Sequence, residues 1–444
     1  MTSQLLAQEL TLEEARALAL ENNKDIHKSR LTFEQTADDV AAYKANYFPK
    51  LSLHAADFYS TAKGNLSITG GNLPIYTLNP ATGTYVPNVT VNPDGTYTLN
   101  QYAYFPDQTI EYKVKNILIA GIQLQQPLYM GGKVGTAYRM SKIGQQMAAD
   151  NIILTRQQVI LRTDEAYVMA VRAQQLATVA RQYKTLLDEL KKNIDSAVRH
   201  GLRTRNDQMK VQVKLNEAQL SIQRADNAYH LACMNLAHVV GIPEAAPSDT
   251  SFITHPSNLT PQPSLRPEHS ILQHKADLAA EQVRLTDSDY LPNLALLAGY
   301  NYANGGEVAG RKFIDGGSAF VGVTLKWNIL NFGERTHKLR SARARQQIAR
   351  LELEDADEKM ALELQQAKNN WEEAQTEVRL TQLSLRQAAE NMRLSRSNYD
   401  AGLEPLSDLL EAQALWQRAA ADAVEAQCQQ LLAHTRYLKA AGQL

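Results

Sequence analysis

Residues 319–335 read AFVGVTLKWNILNFGER. Ala319, Val321, Val323, Leu325, Trp327 and Ile329 fall on one face; Phe320, Gly322, Thr324, Lys326 and Asn328 fall on the other. The period is two, so the stretch predicts a β-strand with one apolar face. The alternation stops at Asn331-Phe332-Gly333, and from Glu334 to Asp400 neither proline nor glycine interrupts the chain. That second stretch predicts a helix much longer than the roughly three turns of an average one. At 1.5 Å per residue it would reach roughly 100 Å. A short amphipathic strand running straight into such a helix is the unit from which the rest of the fold is read.

The unit occurs twice. NILNFGER (328–335) answers PLYMGGKV (127–134), RQQIA (345–349) answers GQQMA (144–148), and GLEPLSD (402–408) answers GLRTRND (201–207), each 201 residues apart. ANYFPKLSL (45–53) returns as SDYLPNLAL (288–296) at an offset of 243, so the first copy holds about 42 extra residues between its two strand-like segments. The organisation is a first repeat over 1–240, a Pro-rich join over 241–268 and a second repeat over 269–444. Each repeat predicts a helix (12–46, then about 268–289), two strands, a long helix (134–199, then 334–400), a Gly-Leu turn and a return helix. Thr11 with Glu14 is a capping box for the first helix. Pro49 and Pro292 stop the helices that precede the strands. The long helices are rich in Ala, Gln and Glu with few apolar residues, which suits a narrow coiled-coil seam and a wide wet face.

The other strands follow the same rule. Leu118, Ala120, Ile122, Leu124 and Leu128 share a face in 117–128, as do Leu294, Leu296, Ala298, Tyr300 and Tyr302 in 294–302; 51–59 is the least regular. Ten-odd residues with alternating faces and aromatic ends match a transmembrane β-strand. A sandwich strand is the alternative, but no further segment supplies a second sheet or a covering helix. Four membrane strands cannot close a barrel, which needs about eight, and an open edge is not tolerated in lipid. Several chains must then share one barrel, two giving eight strands and three giving twelve. The loop at 63–109, rich in Asn, Pro, Thr, Gly and Tyr, faces a short counterpart at 305–317; long loops on one side of a barrel are typically extracellular.

Composition narrows the function classes. The 444 residues carry a net charge of −1, which argues against nucleic-acid binding driven by overall charge. Mean hydropathy is −0.37 and no run of about 18 apolar residues exists, so a spanning helix is not expected. The opening MTSQLLAQELTLEEA has no basic stretch followed by an apolar core, so no secretory signal is read in this numbering; LLAQ (5–8) fits the stub of a removed one. Cys233 and Cys428 lie 195 residues apart and read as packed helix residues, with a disulfide as the alternative. His269 and His274 are off the spacing that aims two helix ligands at one metal. No nucleophile–base set or phosphate loop stands out. No metal, cofactor or catalysis is expected.

In LTLEEARALALENN (10–23), the paired Tyr-X-Pro-X-Leu stops, QPLYMGGKV (126–134) with KWNILNFGER (326–335), and the two Gly-Leu turns, the chain resembles the TolC family of outer-membrane efflux ducts. The resemblance covers nearly the whole chain and rests on the order and duplication of motifs that are weak singly. It implies a mixed fold: a membrane β-barrel shared by a homotrimer, four strands per chain, continued by an α-helical barrel through the periplasm. It implies contact with outer-membrane lipid, a periplasmic adaptor and an inner-membrane pump as partners, and no nucleic acid. The Gly-Leu turns (Gly201, Leu202; Gly402, Leu403) become the hairpin tips where an adaptor would dock. Asp207, Tyr399, Asp408 and Glu411 match the family's gate residues. The family's base after the second glycine is Glu404 here, with Arg203 and Arg205 on the other tip, so a closing ion pair of exchanged polarity is expected.

From the residues alone, Glu404, Asp408 and Glu411 are spaced to share a helix face, and Thr204 with Asp207 equally fits an N-terminal cap. Arg335, Lys338, Arg340, Arg343, Arg345 and Arg350 follow the last strand and fit either anionic headgroups or a solvated helix face. The rival functional class is a soluble coiled-coil scaffold, which leaves the alternating segments and the duplicated proline stops without a purpose.

Overall fold

The computed structural model describes residues 8–248 and 266–444. Pro256, Pro261 and Pro263 of the expected join lie outside them. In chain order come β1 (Gln8–Leu10), α1 (Leu12–Asn22), α2 (Lys24–Ala45), β2 (Lys50–Tyr59) and β3 (Lys63–Ile68). Six short strands follow: β4 (Gly71–Pro74), β5 (Tyr76–Leu78), β6 (Tyr85–Pro87), β7 (Val89–Val91), β8 (Tyr97–Leu99) and β9 (Tyr102–Phe105). Then come β10 (Gln108–Tyr129), α3 (Lys133–Arg199), α4 (Arg205–Val240), β11 (Ala245–Pro247) and α5 (Pro267–Asp287). The chain ends with β12 (Asn293–Val308), β13 (Arg311–Lys326), α6 (Glu334–Asp400) and α7 (Leu406–Ala440). Two compact units result: one holds Lys44–Val134 and Ser288–Phe332, the other nearly all the helical residues. Each sequence repeat contributes its long strands to one unit and its long helices to the other, while the short β1 and β11 stay with the helices.

In the helical unit, α3 and α6 run 67 residues each. Burial along α3 falls on Ala166, Ala170, Ala173, Ala177 and Ala180, alternating steps of four and three, and continues through Leu187, Leu190 and Ile194. This 3.5-residue period is a coiled-coil seam, and its alanines let helices approach closely. The expected helix 12–46 is two helices. Asn23 is extended (φ −67°, ψ 129°) and uses its amide twice, donating to Val239 O at 2.9 Å and accepting from Asp25 N at 2.8 Å. Helix α1 begins with the expected box, Thr11 and Glu14 bonding reciprocally. A core of Leu10, Ile26, Val159, Tyr167, Val171, Leu236 and Val240 joins α1–α4 and β1, and β1 pairs in parallel with β11. Both cysteines are free thiols; burial pushes Cys428 up to about 12.

The strand unit is an antiparallel sheet in the order β13-β12-β10-β2, with β3 pairing β10 beyond the end of β2. Its register puts Leu53, Ile122, Tyr300 and Ala319 in one row and Leu51, Leu124, Ala298 and Val321 in the next, so the apolar face runs across all four strands. Leu53 and Val321 are each 78% exposed.

The segments expected as loops are largely strand. Between β12 and β13 only Ala309 (φ 51°) and Gly310 (φ 76°) turn the chain, the two left-handed residues of a tight hairpin. Two of the glycines that suggest a loop in 305–317 make room for side chains instead: a Cβ on Gly317 would lie 1.8 Å from the Tyr300 hydroxyl, and one on Gly306 would lie 2.2 Å from the Phe313 ring. Strand β13 ends at Lys326, short of Ile329. The expected loop 63–109 holds β3 to β9.

Candidate functional site

Both hairpin tips close in the same way. Gly201 (φ +72°) and Gly402 (φ +76°) take the left-handed conformation that glycine adopts without strain. Leu202 N then donates to Ala197 O and Leu403 N to Asn398 O, each at 2.8 Å. The turns leave Leu202 and Leu403 exposed, at 76% and 78%.

The helices that follow start differently. Thr204 caps α4: its hydroxyl accepts from Asp207 N at 3.2 Å, and Asp207 Oδ2 accepts from the Thr204 hydroxyl at 2.9 Å. Asp207 is thereby committed to the cap. Helix α7 is capped by the extended Pro405, with no side-chain bond. Helical residues begin at Leu406, so Glu404 precedes the helix and does not share its face with Asp408 and Glu411. Those two remain one turn apart, both exposed, and the Ser407 hydroxyl donates to Asp408 Oδ1 at 2.9 Å.

The two tips meet through a core of Leu187, Leu190, Ile194, Val211, Leu215, Tyr399, Leu406 and Leu409. Tyr399 is buried, and the Arg203 guanidinium lies 4.7 Å from its ring centroid. Burial pushes the Tyr399 phenol up; Arg203 opposes this, while Asp207 and Asp400 add to it. Across the tips, Arg396 also donates to Glu189 at 3.0 Å.

The expected ion pair between Glu404 and an arginine of the first tip does not form within the chain. Glu404 turns back over the end of α6, accepting from the Ser395 hydroxyl at 2.6 Å and from Asn398 Nδ2 at 2.8 Å. These two bonds, Ser395 first, hold its carboxyl below the usual range. Arg203 is engaged on Tyr399, and Arg205 is an exposed first residue of α4. Ser395, Asn398, Glu189 and Arg396 are tip contacts that sequence spacing does not mark: the turn at Gly402 folds Glu404 onto the last turns of α6, and Arg396 meets a residue 207 positions away. Among the described residues no group of three or more His, Cys, Asp or Glu is placed to hold a metal. The arrangement can clasp two helical hairpins and present carboxylates to solvent.

The model of the family described as Outer membrane efflux protein matches residues 15–242 and 265–443. The chain belongs to this family. Among relatives of the efflux family, it is 25% identical over 308 residues to the alkaline protease secretion protein AprF of Pseudomonas aeruginosa, an alignment covering 66% of this chain and 63% of that protein. It is 23% identical over 336 residues to the outer membrane protein TolC of Vibrio cholerae, covering 72% and 74%. The chain thus spans under two thirds of AprF. Its fold matches the Campylobacter jejuni CmeC outer membrane channel with a TM-score of 0.75, at 18% identity, over 97% of this chain and 85% of that one. Membership in the efflux family places the chain in the bacterial outer membrane with its helical part in the periplasm, as the resemblance implied.

Proposed function

We propose that the chain is one of three subunits of a passive export duct whose periplasmic end is gated. The observation that carries this is the sheet β13-β12-β10-β2. Among the described residues it has two unpaired edges, and its exposed apolar face includes Leu51, Leu53, Val321, Val323 and Leu325. Unsatisfied edges are not stable in lipid, and a long apolar edge is an aggregation site in water. Copies that join β2 of one chain to β13 of the next satisfy both edges, and three copies close twelve strands. The helices continue the duct as an α-helical barrel through the periplasm. The basic run Arg340, Arg343, Arg345 and Arg350 suits anionic headgroups at the near leaflet.

At the tips, three copies of Asp408 and Glu411 around an axis form a negative ring that favours cations. Arg205, exposed at the start of α4, is then placed to meet carboxylates of the neighbouring copy's second tip, with Arg203 held beside it on Tyr399, which keeps the exchanged-polarity closure as a contact between chains. Leu202 and Leu403, presented by Gly201 and Gly402, are the apolar contacts for a periplasmic adaptor, through which an inner-membrane pump delivers cargo. The test is mass in detergent followed by conductance in a planar bilayer. A trimer is expected, with Asp408→Ala lowering cation preference and Arg205→Ala raising resting conductance. A compact monomer, or unchanged conductance and selectivity in both variants, overturns the reading.

A further inference from the structure

The first repeat's extra segment forms an arm with an unusual surface. Residues 64–106 contain one charged side chain, Asp94, and it is spent within its own turn, accepting from Thr96 N at 3.0 Å and from the Thr96 hydroxyl at 2.7 Å. The arm is an antiparallel stem, β4 with β9, that carries two short hairpins, β5 with β6 and β7 with β8. Ile75 N to Gln101 O, Asn88 N to Ile75 O and Asn100 N to Asn88 O join them at their bases.

Register divides the two outer hairpins into unlike faces. In β5–β6, Tyr76 stands opposite Pro87 and Leu78 opposite Tyr85; in β7–β8, Val89 stands opposite Leu99 and Val91 opposite Tyr97. These pairs share the apolar faces. The other face of β7–β8 carries Thr90 and Thr98, whose hydroxyls bond to Asn100 at 2.7 Å and to Asn92 at 3.2 Å. That polar face is satisfied inside the arm, while the apolar faces are not covered: Tyr85 is 72% and Tyr97 69% exposed. A hairpin of three-residue strands is at best marginal alone in water, so these faces call for an outside surface.

Topology and charge select that surface. Strand β3, from which the arm springs, pairs with β10 on the same side as β2. The arm therefore continues the sheet edge that must join the next copy. A symmetric assembly repeats every charge of such an arm around its axis, where like charges repel; an uncharged arm meets its copies without that cost. We infer that the 64–106 arm is an assembly clasp, its Tyr76/Leu78/Tyr85 and Val91/Tyr97 faces docking on a second copy of this chain. The inference rests on the shared-barrel reading above.

The test uses the full chain purified as the trimer in detergent, with trimer dissociation followed by native mass after dilution and warming. Tyr85→Ser combined with Tyr97→Ser, and separately an Asn-Gly turn replacing residues 70–107, are expected to speed dissociation about tenfold or more. Thr77→Ala, on the face of β5–β6 opposite Tyr76 and Tyr85, is expected to leave it unchanged. Should the deletion fail to insert, the double tyrosine variant carries the test. Equal dissociation rates for wild type and the tyrosine variant overturn the clasp while leaving the duct intact. Unchanged dissociation with lost binding to vesicles of purified lipopolysaccharide also overturns it, assigning the tyrosines to sugar. A monomeric wild type overturns the shared barrel itself.

Discussion

Asp164 is fully buried between three helices and takes three hydrogen bonds. Arg16 of α1 donates Nε to Oδ1 and Nη2 to Oδ2, each at 2.7 Å, and Thr435 of α7 donates its hydroxyl to Oδ2 at 2.7 Å. The carboxylate raises the Arg16 pKa chiefly through this hydrogen bonding. Asp164→Ala removes both arms of a bidentate pair and leaves a guanidinium that is only 21% exposed with the solvent-facing Glu13 alone, at 2.8 Å. Hydrogen bonds to charged groups contribute about 1.5–3 kcal/mol each, and breaking a buried pair costs about 3–5 kcal/mol. Thr435 loses less, because its hydroxyl also reaches Leu431 O at 3.3 Å. The expected loss is therefore about 3–5 kcal/mol for Asp164→Ala and about half that for Asp164→Asn, which keeps the shape and one oxygen. Arg16→Met with Asp164→Leu is expected to recover most of it, since an apolar pair leaves no stranded charge. The assay is urea titration in mild detergent, read by helical circular dichroism at fixed protein concentration, because assembly shifts apparent stability. An unchanged midpoint for Asp164→Ala, or a double variant as damaged as the two singles added, would refute the reasoning.

Two further expectations follow from the tip and the sheet. The Glu404 carboxyl is depressed by Ser395 and then Asn398, so its contribution is fully present above the unfolded value near pH 4.3 and is lost as pH falls through the lower folded value. Amide exchange at Leu403, corrected for its intrinsic rate, is expected to stay flat from neutrality to about pH 5 and to quicken only below about pH 4, a response that Glu404→Gln abolishes; quickening that begins near pH 6 contradicts the contact. Gly305 sits at φ +148°, where a Cβ would lie 2.1 Å from Asn116 O, so Gly305→Ala is expected to lower the fraction of chain that inserts into vesicles, whereas Gly316→Ala, with nothing within 4 Å, is tolerated.

Much of this chain is written in local pattern. The alternation at 319–325 and the uninterrupted run 334–400 identify a strand and a long helix because side-chain periodicity follows from backbone geometry alone. Duplication shows which segments are equivalent, and the left-handed turns at Gly201 and Gly402 are legible because only glycine takes that conformation freely. Tertiary structure decided what depends on distant residues meeting. The Ala-Gly hairpin at 309–310 emerges from a stretch that reads as loop, because some of its glycines make room for side chains across the sheet, Gly317 for Tyr300 and Gly306 for Phe313. Asn23 breaks a helix that its own sequence would allow, because Val239 offers it a carbonyl. Glu404 finds Ser395 and Asn398, and Arg203 finds Tyr399, where charge complementarity alone would have paired Glu404 with an arginine. Periodicity sets which face a residue occupies; which partner it takes there depends on long-range packing, and nothing in sequence spacing encodes that.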